Sequence, residues 1–203
     1  MMKLDGTPAM ENGVELPCTT FAEWASSGNK STPPPATTQT VLNCWEAILL
    51  AGYNVGAISW DYIHGMYTVI PQPDSCKQTA NSMVVIKEKC STDTTQEWID
   101  KLTNGNANNY DTTNPKGKKP MKGDIVFFNG LEHVVLATGK TISAESEVLS
   151  FWPPSDIRNG LRSADGTIPG SVVKTTIEQL ARGWKLTDKS TDLKSIEFRK
   201  PNW

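Results

Sequence analysis

The first half of the chain carries apolar side chains at helical spacing, which predicts three helices. The clearest stripe recurs every three or four residues, as on one face of a helix, and consists of Val41, Cys44, Ile48 and Ala51. Threonines before this stretch are candidate N-caps, and Gly52 ends it. This predicts that Cys44 lies about one turn into a helix over residues 41–52. The same spacing predicts helices over residues 59–67 and 94–102.

The second half contains short β-rich runs separated by turn residues. Strands are predicted over residues 124–128, 133–138, 147–152 and 195–199, with one helix over residues 176–184. The dipeptide Asn129-Gly130 predicts a turn between the first two strands. Residues 104–120 are polar and rich in Asn and Gly, which predicts a long loop. Helices followed by a strand meander indicate an α+β protein.

The length of 203 residues fits one compact domain. Residues 1–38 are rich in Gly, Pro, Ser and Thr, and they include a run of three prolines that is incompatible with a helix interior. We therefore expect an extended N-terminal arm over residues 1–38, anchored by Phe21 and Trp24. Residues 39–203 then form a single domain, with an insertion around residues 70–120.

Composition and charge exclude several classes of function. Twenty basic and twenty-two acidic side chains give a formal net charge of −2, which offers no surface for nucleic acid. No run of about 18 apolar residues predicts a membrane span. The N-terminus lacks the pattern of a secretory signal, so we expect synthesis in the cytoplasm.

Cysteines and histidines are too scattered to predict a metal site. The four cysteines form no CxxC pair, and neither histidine has a second one at i+3 or i+4. We therefore expect no metal and no cofactor. Cys76 and Cys90 can pair in an oxidising compartment, which the sequence leaves open.

Cys44 is the candidate nucleophile because a thiolate is stabilised near a helix N-terminus. Acyl transfer also needs hydrogen-bond donors for the oxyanion, and the nearby side-chain amides are those of Asn43 and Gln39. The alternative is that Cys44 is a small buried apolar residue. The two candidate bases are His133 and His64, and the second also fits an ordinary helix histidine.

Two motifs resemble one family of enzymes. The run Gly123-Asp124-Ile125-Val126-Phe127-Phe128, a turn, and a strand that opens with His133 resemble the signature of the NlpC/P60 superfamily. The segment Asn43-Cys44-Trp45 resembles the nucleophile helix of that family and the Cys-Trp pair of papain-like proteases. The resemblance implies a papain-like fold, in which an N-terminal nucleophile helix packs on an antiparallel sheet. It also implies that Cys44 is the nucleophile and His133 its base.

The family places a polar third residue about twelve positions after the catalytic histidine. That position is Glu145 here, a carboxylate able to orient an imidazole. Ser143 shares the same strand face and stays a candidate for this role or for substrate contact. Trp45 and Trp152 are candidate walls of a substrate groove, although such aromatic residues are more often part of a core.

The resemblance implies hydrolysis of an amide bond, most often in the peptide stems of peptidoglycan. A small hydrolase without a signal peptide resembles the antibacterial effectors that type VI secretion delivers into a rival's periplasm. Such a protein has an immunity protein and a component of the secretion apparatus as partners. One alternative is a protease or glutamine deamidase that acts on a host protein. Another is an inactive papain-like binding module.

Overall fold

The computed structural model describes residues 2–3, 10–11, 14–15, 19–27, 30, 40–69, 92–114, 116–151, 172–184 and 192–203. Outside these ranges lie four residues named above, Gln39, Cys76, Cys90 and Trp152, together with the fourth cysteine of the chain, Cys18, and residues 70–91 of the expected insertion. The chain divides into two compact units. Unit 1 comprises Met1–Lys101 with Trp203, and unit 2 comprises Leu102–Asn202.

Unit 1 contains four helices and two small antiparallel strand pairs among its described residues. The helices are α1 (Thr20–Ser26), α2 (Cys44–Asn54), α3 (Trp60–Val69) and α4 (Thr92–Leu102), whose last residue belongs to unit 2. The strand pairs are β1 (Met2–Lys3) with β4 (Val41–Leu42), and β2 (Met10–Glu11) with β3 (Val14–Glu15). The three helices predicted in the first half are present as α2, α3 and α4.

Helix α2 begins later than the sequence predicts. Val41 and Leu42 pair with β1 in extended conformation, and Asn43 is the N-cap with φ −107° and ψ −178°. Cys44 is therefore the first helical residue instead of lying one turn inside. The apolar stripe did not show where the helix begins, because valine is common in strands and its apolar side chain also fits a helical stripe.

The described part of the predicted arm over residues 1–38 contains a helix as well as extended segments. Phe21 and Trp24 are buried, as expected of anchors, but they lie on helix α1, which Thr19 caps through its side chain. The predicted boundary after residue 38 falls inside unit 1, because β1 pairs with β4 across it.

Unit 2 is built on a six-stranded antiparallel sheet with the order β5-β10-β6-β7-β8-β9. The strands are β5 (Thr103–Asn109), β6 (Ile125–Phe128), β7 (His133–Ile142), β8 (Glu145–Phe151), β9 (Val172–Thr176) and β10 (Ile196–Pro201). Helix α5 (Ile177–Trp184) follows β9 directly, and it buries Ile177, Leu180 and Ala181 in a core with side chains of β6, β7, β8 and β10. These helices and this antiparallel sheet make the chain an α+β protein.

Two strands of this sheet were not predicted. Strand β5 occupies part of the predicted loop over residues 104–120, and it pairs with β10. The central residues of β5 are exposed, which explains why this edge strand has a polar sequence. Strand β9 pairs with β8 at the other end of the strand order.

The turns around β6 and β7 depend on residues in the left-handed region. Asn129 and Gly130, in the predicted turn, have φ values of 49° and 72°. Gly139 interrupts β7 with φ 72°, and a Cβ there would lie 2.6 Å from the backbone nitrogen of Lys122. Glycine is therefore required at this close approach between two backbone segments.

No helix in the described ranges is both long enough and apolar enough to span a bilayer.

Candidate functional site

Cys44 occupies the first position of helix α2. Its side chain is buried with 4% exposure, and it takes part in no disulfide. The helix start is well capped: Asn43 Oδ1 accepts the N–H of Glu46 at 2.9 Å, and Glu46 Oε2 accepts the N–H of Asn43 at 2.9 Å. An anion at this position is favoured by the helix dipole. The capped helix start favours a thiolate, whereas the burial of the side chain opposes one.

The structure changes the interpretation of two neighbours of Cys44. Asn43 was a candidate oxyanion donor, and its side-chain oxygen caps α2, which fixes the orientation of the NH₂ group, the only donor of this side chain. Trp45 was a candidate groove wall. Its ring packs against Trp98 with 6.0 Å between ring centroids, and its indole N–H is buried without a hydrogen-bond acceptor.

Glu46 is a buried carboxyl group that the sequence analysis missed. Its Oε1 accepts hydrogen bonds from the hydroxyl of Thr19 at 2.7 Å and from that of Tyr67 at 2.8 Å. Its Oε2 accepts the N–H of Asn43, so one side chain connects α1, α2 and α3. Burial raises the pKa of Glu46 to about 7, against the effect of these hydrogen bonds. The spacing of Asn43 and Glu46 is a capping-box signal that was readable from the sequence.

Replacing Glu46 with glutamine is expected to change how stability depends on pH. The folded-state pKa of about 7 lies above the ordinary value of 4.5, so ionisation of Glu46 opposes folding as pH rises from about 4.5 to 7. Relative to the Glu46→Gln variant, the native protein should lose about 3 kcal/mol of unfolding free energy across that range. Urea unfolding of both proteins between pH 4.5 and 8 measures the difference.

Glu23→Gln is the matched control, because Glu23 is an exposed glutamate on α1. It should keep the pH dependence of the native protein. A constant difference between the Glu46→Gln variant and the native protein at every pH would contradict the expectation.

His133 is the first residue of β7, and it lies opposite Phe128 on β6. The ring is buried with 3% exposure, and its Nε2 lies 2.9 Å from the hydroxyl oxygen of Ser150 on β8. Phe128 and Trp184 flank it, with ring centroids 6.0 and 6.4 Å away. Burial lowers the pKa of His133 to about 4, so the ring is neutral at pH 7 and is a weaker base than an exposed imidazole.

The two predicted third residues do not lie beside His133. Glu145 pairs with Ile142 at the opposite end of the β7–β8 hairpin, and its carboxylate binds Arg182 at 2.7 Å. Ser143 is exposed in the turn between the strands. Because β7 is ten residues long, the position twelve residues after His133 is the first residue of β8, just past the turn and far from the ring. The residue that reaches the ring is Ser150, seventeen positions after His133.

His64, the rival base, lies on α3 in unit 1. Its Nδ1 is 2.7 Å from the carbonyl oxygen of Ala25, to which it donates. Its ring stacks on Trp60 with 4.3 Å between centroids and an angle of 15°. The hydrogen bond joins α3 to α1, and the stacking lies within α3; both contacts fit the structural role that the sequence allowed.

Cys44 belongs to unit 1 and His133 belongs to unit 2. Among the residues that the structure describes, no group of three or more His, Cys, Asp and Glu side chains is arranged to hold a metal ion. Comparison with family models, curated proteins and solved structures finds no match for this chain. Its function is therefore inferred from local geometry and from the motifs of its sequence.

Proposed function

We propose that the chain is a cysteine hydrolase of the papain-like, NlpC/P60 kind, with Cys44 as nucleophile and His133 as base. The observation that carries the proposal is the position of Cys44 at the first residue of a capped helix. Helix N-termini lower the pKa of a thiol and raise the fraction of reactive thiolate. The sequence motif around His133 supplies the second catalytic group.

His133 would take the proton of Cys44, and the resulting thiolate would attack the carbonyl carbon of an amide. The tetrahedral intermediate then expels the amine, which receives the proton from the imidazolium, and a thioester remains on Cys44. Water, deprotonated by His133, hydrolyses the thioester, releases the acid and restores the thiol.

Ser150 takes the orienting role in this proposal, in place of Glu145 and Ser143. Its contact with Nε2 leaves Nδ1 as the nitrogen for proton exchange with Cys44. A neutral hydroxyl orients the ring but stabilises an imidazolium less than a carboxylate does. Ser150 is therefore a positioning residue, and its removal should cost less than removal of His133.

The substrate class that we propose is the peptide stem of peptidoglycan, cleaved at an amide bond. The chain would act in the periplasm of a target cell after delivery by a secretion apparatus, and an immunity protein would protect the producer. These parts of the proposal rest on the resemblance of the two motifs, since a fold does not by itself determine a substrate.

Mass spectrometry of reaction products tests the proposal. We expect the full chain, incubated with peptidoglycan stem peptides, to produce fragments that together have gained one water, and the Cys44→Ala chain to produce none. Conversion of glutamine to glutamate without cleavage would instead identify a deamidase. The burial of Cys44 and His133 favours the remaining alternative, an inactive binding module. Bound but uncleaved peptide, with no acyl adduct on Cys44, would establish that alternative.

A further inference from the structure

Unit 2 contains a cavity of about 470 Å³ at the turn end of the β7–β8 hairpin. Along β7 this turn lies roughly 30 Å from His133, so the cavity is separate from that residue. Its lining includes two cations, two carboxylates and two apolar side chains: Lys119, Arg182, Glu145, Glu178, Ala181 and Leu193. A volume of this size accommodates a small molecule.

The charged groups of the cavity form two ion pairs, Arg182 with Glu145 and Lys119 with Glu178. Arg182 donates to both oxygens of Glu145, at 2.7 and 3.2 Å, which uses two of the five N–H donors of a guanidinium. Lys119 Nζ lies 3.6 Å from Glu178 Oε1. The four side chains carry no net charge, but each pair presents a positive and a negative group side by side. Such a surface complements a ligand that itself carries both charges.

Buried hydrogen bonds hold the second pair in place. Glu178 is buried, and its carboxylate accepts the N–H of Ser146 at 3.1 Å and the hydroxyl of Tyr110 at 2.5 Å. The Tyr110 hydroxyl oxygen also accepts a hydrogen bond from Lys119 Nζ at 2.9 Å. Because these groups are fixed before any ligand arrives, binding requires little reordering of this wall.

Backbone strain is concentrated at the rim of the same cavity. Ser143 and Ala144 are consecutive residues with φ values of 51° and 70°, and both line the cavity. A turn with two residues in the left-handed region favours Asn-Gly, and neither serine nor alanine is suited to it. Strained backbone of this kind clusters at functional sites.

We propose that this cavity binds a small zwitterion, such as a free amino acid with an apolar side chain. Arg182 binds the ligand's carboxylate, and Glu145 accepts from its ammonium group, so the ligand lies antiparallel to the Arg182–Glu145 pair. Ala181 and Leu193 contact the apolar side chain. This site is independent of the hydrolase proposal, and either can fail without the other.

Calorimetric titration of the full chain with three related probes tests the site. L-Leucine carries both charges, leucinamide lacks the carboxylate, and N-acetylleucine lacks the ammonium group. We expect leucine to bind, and each derivative to bind at least about tenfold more weakly, because each leaves one charged group of the site without its counterpart. Equal binding of all three probes, or no binding of leucine, would overturn the proposal.

Variants locate the binding to this cavity. Arg182→Gln and Glu145→Gln should each weaken leucine binding at least about tenfold, with circular dichroism confirming that both are folded. Arg199→Gln is the matched control, because Arg199 pairs with Glu197 at 3.1 Å on β10 and does not line the cavity. Native leucine affinity in the two cavity variants, or equal loss in the control, would refute the assignment.

Discussion

A Cys44→Ala chain is expected to release no product from a substrate that the native protein hydrolyses. In the proposed mechanism the thiolate forms the covalent intermediate, so its removal should lower kcat by at least about 10⁴-fold. Cys44 is a small buried residue, and alanine leaves only a small cavity at the helix start. Loss of activity should therefore occur in a folded protein, as circular dichroism can verify.

The other three cysteines provide the controls for Cys44. Cys18→Ala, Cys76→Ala and Cys90→Ala should each retain turnover within a few-fold of the native value, because none of them lies in the Asn-Cys-Trp motif. If one of these variants is inactive while Cys44→Ala turns over normally, the nucleophile has been misassigned.

The second large effect is expected for His133→Ala, with a loss of about 10²–10⁴-fold in kcat. The neutral ring of His133 is the proposed proton acceptor, and alanine leaves Cys44 without a base. His64→Ala should change kcat little, because Nδ1 of His64 serves a contact with the Ala25 carbonyl. Steady-state kinetics of both variants, after each is shown to be folded, separates the two histidines.

Thiol chemistry gives a second readout that does not depend on the substrate. The rate of alkylation of Cys44 by iodoacetamide, followed against pH by peptide mass, should show a higher apparent pKa in His133→Ala than in the native protein. Ser150→Ala should also raise this apparent pKa and lower kcat, but each change should be smaller than in His133→Ala. An inactive His64→Ala beside an active His133→Ala would move the base to α3.

Most of the fold was predictable because the elements that carry it have strong apolar patterns. Helices α3 and α4 and strands β6 and β10 lie within two residues of their predicted limits. Strand β5 was missed because its pattern is polar, and only its pairing with β10 makes it a strand. The start of α2 was misplaced because Val41 suits either structure, and the pairing of β4 with β1 decides between them.

The candidate site was predictable where it depends on local sequence and unpredictable where it depends on register. Each of the motifs around Cys44 and His133 is a short run of sequence. The structure begins β7 at His133 as predicted, but it begins α2 at Cys44, about one turn later than predicted. The residue that lies beside the His133 ring depends on where the β7–β8 hairpin turns. Counting along the chain reached Glu145, whereas the cross-strand geometry places Ser150 beside the ring. The bond between Tyr110 and Glu178 spans 68 positions, and no local pattern signals it.

The strand order of unit 2 has a consequence for the time course of folding. Strands β6, β7 and β8 are consecutive hairpin partners, so their contacts close short loops and can form early. Strand β10 lies between β5 and β6, and its pairing closes a loop of about 70 residues with β6 and one of about 90 residues with β5. This late closure should limit the folding rate, and until it occurs β6 exposes an unpaired edge to aggregation.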